Sequence, residues 1–184
     1  MGICGRLHRN EVPDEAWAEF YLRLLASGRE RAAFYCLPRE DAPGFIRRVR
    51  NDPCPWWMLT WKGETAGAVY LSDLLGKSAC VHYAFLPLPE MRHPDGVPAA
   101  VALARFCVAF ILGDTYLDGT YFVDTLIGKT PVWNKAAVKL LDRIGAAILG
   151  EIPNCCYCRD SGRDAAGVIS YFTRETVSPE WAEY

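Results

Sequence analysis

Between Val97 and Leu112 the chain runs through sixteen residues of which Arg105 is the sole charged one. A membrane-spanning helix needs about 20 predominantly apolar residues. This run is shorter and interrupted, so it predicts a helix buried inside protein. A helix apolar on nearly every face must be covered on nearly every face. With 184 residues the chain can bury that much surface in one domain, expected over 1–184.

The segments around the run supply the cover. Met1 to Arg9 reads as a first strand or an ordered lead-in. Trp17, Phe20, Tyr21, Leu24 and Leu25 recur at helical spacing between Pro13 and Ser27, with Gly28 after the end. Ala32 to Leu37 is short and apolar, and Gly44 to Arg50 suggests an amphipathic helix that Pro53 and Pro55 end. The period then changes. Trp56 to Trp61, Thr65 to Leu74 and Ser78 to Leu86 are rich in β-formers and joined by tight turns at Lys62-Gly63-Glu64 and Gly76-Lys77, an antiparallel meander. A Pro-rich connection, Pro87 to Pro94, leads into the apolar helix. Beyond it Tyr121 to Ile127 reads as a strand, Pro131 to Ile144 as a helix, and Ala146 to Ile152 and Gly167 to Thr173 as closing strands. A meander followed by strand–helix alternation predicts an α/β fold with a mixed, mostly antiparallel sheet flanked by helices on both faces.

Composition narrows the function. Twenty basic against twenty-two acidic residues give a formal charge of −2, so no basic excess argues for nucleic acid or an anionic membrane surface. The first ten residues carry Arg6, His8 and Arg9 and no apolar signal core, which predicts a cytoplasmic protein. Its eight cysteines are then expected as reduced thiols. Cys155-x-x-Cys158 has the spacing of a zinc knuckle or a redox pair, and metal or redox function rests on it alone. No second Cys-x-x-Cys completes four zinc ligands, so incidental thiols near a strand end are the expectation. Trp56, Trp57 and Trp61 could line an acceptor pocket, but aromatic strands usually serve the core. The Arg47, Arg48 and Arg50 cluster reads as a solvated helix face.

The helix after Thr130 carries the most specific signal. Thr130 can cap it, Pro131 suits its first turn, Trp133, Ala137, Leu140 and Ile144 form one apolar stripe, and Gly145 supplies a permissive C-terminal turn. The spacing of Asn134, Ala137, Leu140 and Gly145 resembles the Asn-x-x-Ala-x-x-Leu-Tyr-x-x-x-Gly-Phe pattern of the GNAT superfamily of N-acetyltransferases. Leu141 stands at the pattern's Tyr and Ala146 at its Phe. Element order from Trp56 to Arg174 also matches that family.

The resemblance implies acetyl-CoA or a related acyl-CoA as co-substrate and a small-molecule or peptide amine as acceptor. In the family a loop of pattern Gln or Arg, two residues, Gly, one residue, Gly or Ala holds the CoA pyrophosphate at a helix N-terminus, where backbone N–H groups and the helix dipole favour an anion. His93 stands at the Gln or Arg, Gly96 at the first Gly and Pro98 at the second small residue, so the resemblance implies His93, Gly96, Val97 and Ala99 as the loop's contacts. Pro98 lacks an N–H, and Asp95 adds a negative charge that can instead cap the helix. Phe85 and Leu86, at the end of the fourth strand, are expected to offer backbone groups to the pantetheine arm, with Asn134 facing them. Direct attack in a ternary complex needs a neutral amine and often an acid for the departing thiolate. Leu141 cannot be that acid. His82, on the fourth strand, is the candidate general base, against the alternative of a hydrogen-bonded strand histidine. Tyr83, Tyr121 and Asp124 lie near the same place. Two readings follow: an N-acyltransferase, or a non-catalytic module on the same fold that binds a ligand or protein.

Overall fold

In the computed structural model, which describes residues 3–88, 91–159 and 161–184, the meander forms the middle of a seven-stranded sheet. Met1 and Gly2 of the expected first strand, and Pro89 and Glu90 of the expected connection, lie outside the described residues. The strands are β1 (Cys4–His8), β2 (Trp56–Trp61), β3 (Glu64–Leu75), β4 (Ser78–Phe85), β5 (Thr125–Pro131), β6 (Ala147–Cys158) and β7 (Arg163–Thr173), in the order β1-β2-β3-β4-β5-β7-β6. Every pair is antiparallel except β4 with β5. Lys62 and Gly63 turn β2 into β3 with φ of 51° and 84°, the left-handed geometry of a tight hairpin.

Alternation along β2 divides the core. Trp57, Leu59 and Trp61 face one layer, and Trp56 and Met58 face the other. On the second side α1 (Asp14–Ala26) and α3 (Ala42–Asn51), with Phe34 just after the short α2 (Glu30–Ala33), bury Trp17, Phe20, Leu24, Phe34 and Phe45 against the sheet. There Trp56 stacks on Tyr70 at 4.1 Å and donates its indole N–H to Asp52 at 2.9 Å. All three β2 tryptophans are buried, the core role aromatic strands usually have. Each fully buried Leu- or Phe-sized side chain stabilises the fold by about 1.5–3 kcal/mol.

The first side holds α4 (Ala99–Gly113), the apolar helix, and α5 (Lys135–Ile144). Two C-terminal 3-10 turns, Arg174–Thr176 and Pro179–Glu183, complete the cover of α4. Its one charge escapes burial there. The Arg105 guanidinium donates to the Tyr184 hydroxyl at 3.2 Å and the Arg143 carbonyl at 3.1 Å, and lies over the Trp181 ring. Among the described residues no helix is long and apolar enough to cross a membrane.

Several boundaries differ from expectation. The fifth strand begins at Thr125, not Tyr121, whose backbone instead bridges to Thr115 in the preceding loop. Pro131 ends that strand opposite Gly167, and α5 starts four residues later, capped by the Asn134 side chain accepting from the Ala137 N–H at 3.2 Å. Local helix signals at Thr130 and Pro131 lose to sheet pairing for a reason visible in the ladder. Val132 donates to the Ala166 carbonyl, so even-numbered β5 residues direct their backbone to β7 and odd-numbered ones to β4. Pro131 therefore turns its donorless nitrogen to the side where β4 has drawn away, where a proline is tolerated. β6 runs on to Cys158 instead of ending at Ile152, through irregular pairing at Ile148/Gly150 and Ile152/Cys156, and β7 begins at Arg163 rather than Gly167.

A cationic cavity where two strands part

β4 and β5 pair only from Ser78 to Cys80 and Thr125 to Ile127. Beyond that they separate. The Leu86 N–H bonds the Ala66 carbonyl at 2.9 Å, so even-numbered β4 residues serve β3 and the backbone groups of Tyr83 and Phe85 face the opening. A cavity of about 660 Å³ fills it, walled by β4, β5, the start of α4, α5 and the α2 region.

The charge of that wall is one-sided. Arg29, Lys129, Lys139 and Arg143 line it, and no Asp or Glu does among the described residues. In a chain of net charge −2 this concentrates positive potential in one concave site. Two of the four are already engaged: Arg29 donates to the Leu86 carbonyl at 3.2 Å, and the Lys129 amine lies 3.3 Å from the Asp73 carboxylate. Burial alone would lower the Lys129 pKa, but Cys80 and Asp73 outweigh it and hold the amine above its usual range. Lys139 and Arg143 stand one turn apart on α5.

No protein-family model and no curated protein matches the chain. Solved structures do. RimJ from Mycobacterium smegmatis, in complex with CoA-disulfide, superposes with a TM-score of 0.70 over 98% of this chain and 87% of its own, at 13% identity. Aminoglycoside acetyltransferase AAC(6')-Ib, in complex with coenzyme A and kanamycin, gives 0.68 over 94% and 96%, at 12% identity. The ribosomal-protein-S5-alanine acetyltransferase from Vibrio fischeri gives 0.66 over 97% of each chain, at 10% identity. The chain has the GNAT fold.

Of the residues that the GNAT resemblance singles out, four line the cavity: His82, Phe85, Leu86 and Asn134. Leu86 has both backbone groups occupied, by Ala66 and Arg29, whereas those of Phe85 face the opening. The Asn134 amide holds the start of α5 and also donates to the Ala32 carbonyl at 3.4 Å, tying α5 to α2. His82 stacks on Tyr70 at 4.5 Å, with Nε2 2.8 Å from the Ser72 hydroxyl. Burial pushes its imidazole down to about 4, with Asp73 opposing and Lys129 reinforcing the shift, so the ring is neutral at neutral pH.

The other four, His93, Gly96, Val97 and Ala99, are not in the cavity wall. Their N–H groups are spent inside the loop. His93 donates to Val97, Gly96 to His93, Ala99 to Met91, and Val97 to the Asp95 carboxylate at 3.0 Å. The Val97 N–H, followed by the nearby His93, holds the Asp95 carboxyl below its usual range. His93 packs against Tyr184 at 4.7 Å, and Pro98 precedes the first turn of α4. Asp124 and Tyr121 are both taken up by Arg174, through an ion pair and a cation–π contact.

The sequence reading missed the cationic wall, because Arg29, Lys129, Lys139 and Arg143 come from three separate segments; only the four-residue spacing of the last two was legible. It also missed Ser170, a buried serine whose hydroxyl lacks a protein partner and tucks over Gly128, where a Cβ would meet it at 2.5 Å. An orphaned buried hydroxyl costs about 1–3 kcal/mol. Among the described residues no three His, Cys, Asp or Glu side chains converge as a metal site; Cys155, Cys156 and Cys158 are free thiols along β6.

Proposed function

We propose that the chain is an acyl-CoA-dependent N-acyltransferase, with acetyl-CoA as donor and a small-molecule or peptide amine as acceptor. The observation that carries this reading is the cavity between β4 and β5: four cations and no carboxylate among its described lining residues, beside an unpaired strand edge. That combination suits a ligand with amides at one end and phosphates at the other. The N–H and C=O groups of Tyr83 and Phe85 would bond the pantetheine amides. Lys139 and Arg143 would meet the phosphates by charge-assisted hydrogen bonds. For His93, Gly96, Val97 and Ala99 to hold the pyrophosphate in this reading, the Asp95–Val97 bond must break and the carboxylate move away. Leu86 would contribute its side chain rather than its backbone, and Asn134 would fix the wall opposite β4.

Bound acyl-CoA supplies an activated carbonyl, and the chain's part is to orient it and manage protons. In this reading His82 would assist deprotonation of the attacking nitrogen. A base lowered to about 4 is a weak one, so an amine that arrives already neutral is favoured. Activity should therefore rise with pH along the acceptor's own titration, without a plateau set near the ordinary histidine pKa.

Calorimetric titration with acetyl-CoA tests the reading. Saturable binding is expected, followed by CoA release when a panel of amines is added, and no binding at millimolar ligand would overturn it. The non-catalytic alternative draws support from Leu141, which is apolar and buried where the family pattern has Tyr. Binding without CoA release from any amine would favour that alternative.

A further inference from the structure

The thioester and the amine must meet somewhere, and the structure offers one place. A second cavity, of about 450 Å³, opens beside α2 and is lined by Phe34, Leu37, Trp133 and Asp164 among others. Among the described residues it shares only Ala32 and Tyr35 with the cationic cavity. Of those two, only Tyr35 carries a reactive group. Its hydroxyl donates to the Lys129 carbonyl at 2.9 Å, and Lys129 is an odd-numbered β5 residue whose backbone faces the parted side. The phenol oxygen thus lies against β5, in the wall of the cationic cavity.

The ring is held on several sides. Trp133 meets it edge-on at 6.4 Å, the Tyr35 carbonyl accepts from the Arg159 N–H at 3.0 Å, and Cys156 Sγ lies 3.9 Å from the hydroxyl. Burial, reinforced by Cys156, raises the phenol far above its usual range, so it is protonated at neutral pH and can release its proton only in concert with getting one back.

We propose that Tyr35 is the catalytic acid for the departing CoA thiolate, the role that Leu141 cannot fill. This rests on the N-acyltransferase reading. The amine nitrogen attacks the thioester carbon, forming the C–N bond and an oxyanion. Collapse breaks the C–S bond, and the electron pair goes to sulfur as the Tyr35 O–H proton transfers to it. The phenolate recovers its proton from the ammonium nitrogen, leaving amide and free thiol. No other reactant is consumed.

The hydroxyl also ties the α2 region to β5, so the test must separate chemistry from clamping. In Tyr35→Phe, kcat with acetyl-CoA is expected to fall about 100-fold, in the range typical of general acid catalysis. The KM for acetyl-CoA should stay within about threefold, since uniform binding is untouched. Repeating the comparison with S-acetyl-4-nitrothiophenol, whose thiolate leaves without protonation, should shrink the deficit at least about tenfold. Turnover by Tyr35→Phe within about threefold of wild type would overturn the proposal. An equal deficit with both donors would overturn it too, since a clamp affects both alike. A wild-type protein that releases no CoA with any amine instead refutes the parent reading, a result distinguishable from either.

Discussion

The loop from Met91 to Pro98 and the gap between β4 and β5 are both built of exposed backbone, and they have satisfied it in opposite ways. In the loop the N–H groups of His93, Gly96, Val97 and Ala99 all find acceptors nearby, one of them the Asp95 carboxylate. In the gap the strand edges at Tyr83 and Phe85 face a cavity instead of each other. In the proposed reading the pantetheine cleft stays open while the phosphate loop is closed on itself, and recognition of the anion would pass from backbone dipoles to side-chain charge on α5.

That contrast can be broken experimentally. The largest effect should come from filling the gap: Ala137→Trp, on the face of α5 that lines the cavity, is expected to weaken acetyl-CoA binding about 100-fold or more by steric exclusion, measured by calorimetry. Reversing the α5 charges with Lys139→Glu and Arg143→Glu together should cost about 10- to 100-fold, or roughly 1.4 kcal/mol per factor of ten. Acetyl-pantetheine, which lacks the phosphates, should bind the two proteins alike, and the loss for acetyl-CoA should shrink in high salt. Asp95→Ala should change acetyl-CoA affinity less than about threefold, since an exposed carboxylate is well screened. If Asp95→Ala outweighs the α5 reversal, the loop is the phosphate site and the contrast fails.

His82 gives a separate and more local effect, on stability instead of binding. Its folded-state pKa is about 4 against an ordinary 6.5, so the neutral ring stabilises the fold above 6.5 and that contribution is lost as pH falls towards 4. The loss is at most about 1.4 kcal/mol per pH unit in that window. Asp73, Asp52 and Lys129 act on the same ring, so the measurement is a difference: denaturant unfolding of wild type and His82→Gln from pH 7 to 4, with the variant flatter. Parallel curves would show that the ring is not held neutral by the fold.

The elements that were legible in the sequence are those whose signals are local. Trp56–Trp61 alternates into two cores, and Val97–Leu112 is too apolar to be anything but enclosed. Asn134 and Gly145 bound α5 by their own caps. Pro131 shows where local reading ends, because its place depends on which way the β5 ladder faces. The candidate site divides the same way. Asn134 follows from motif spacing, and His82 and Phe85 from their place on the fourth strand, whereas the cationic wall and Tyr35 arise from three or more segments brought together by folding, a juxtaposition no spacing records.

Pro131 has a consequence beyond its strand. Two parallel strands that part with their polar edges facing each other have every incentive to zip shut. Here the first rungs past the junction are missing: the Lys129 carbonyl is occupied by Tyr35, and Pro131 has no hydrogen to offer. An empty cleft cannot heal itself into continuous sheet. In the proposed reading the site is preorganised, and an incoming ligand would not spend part of its binding energy prying it open.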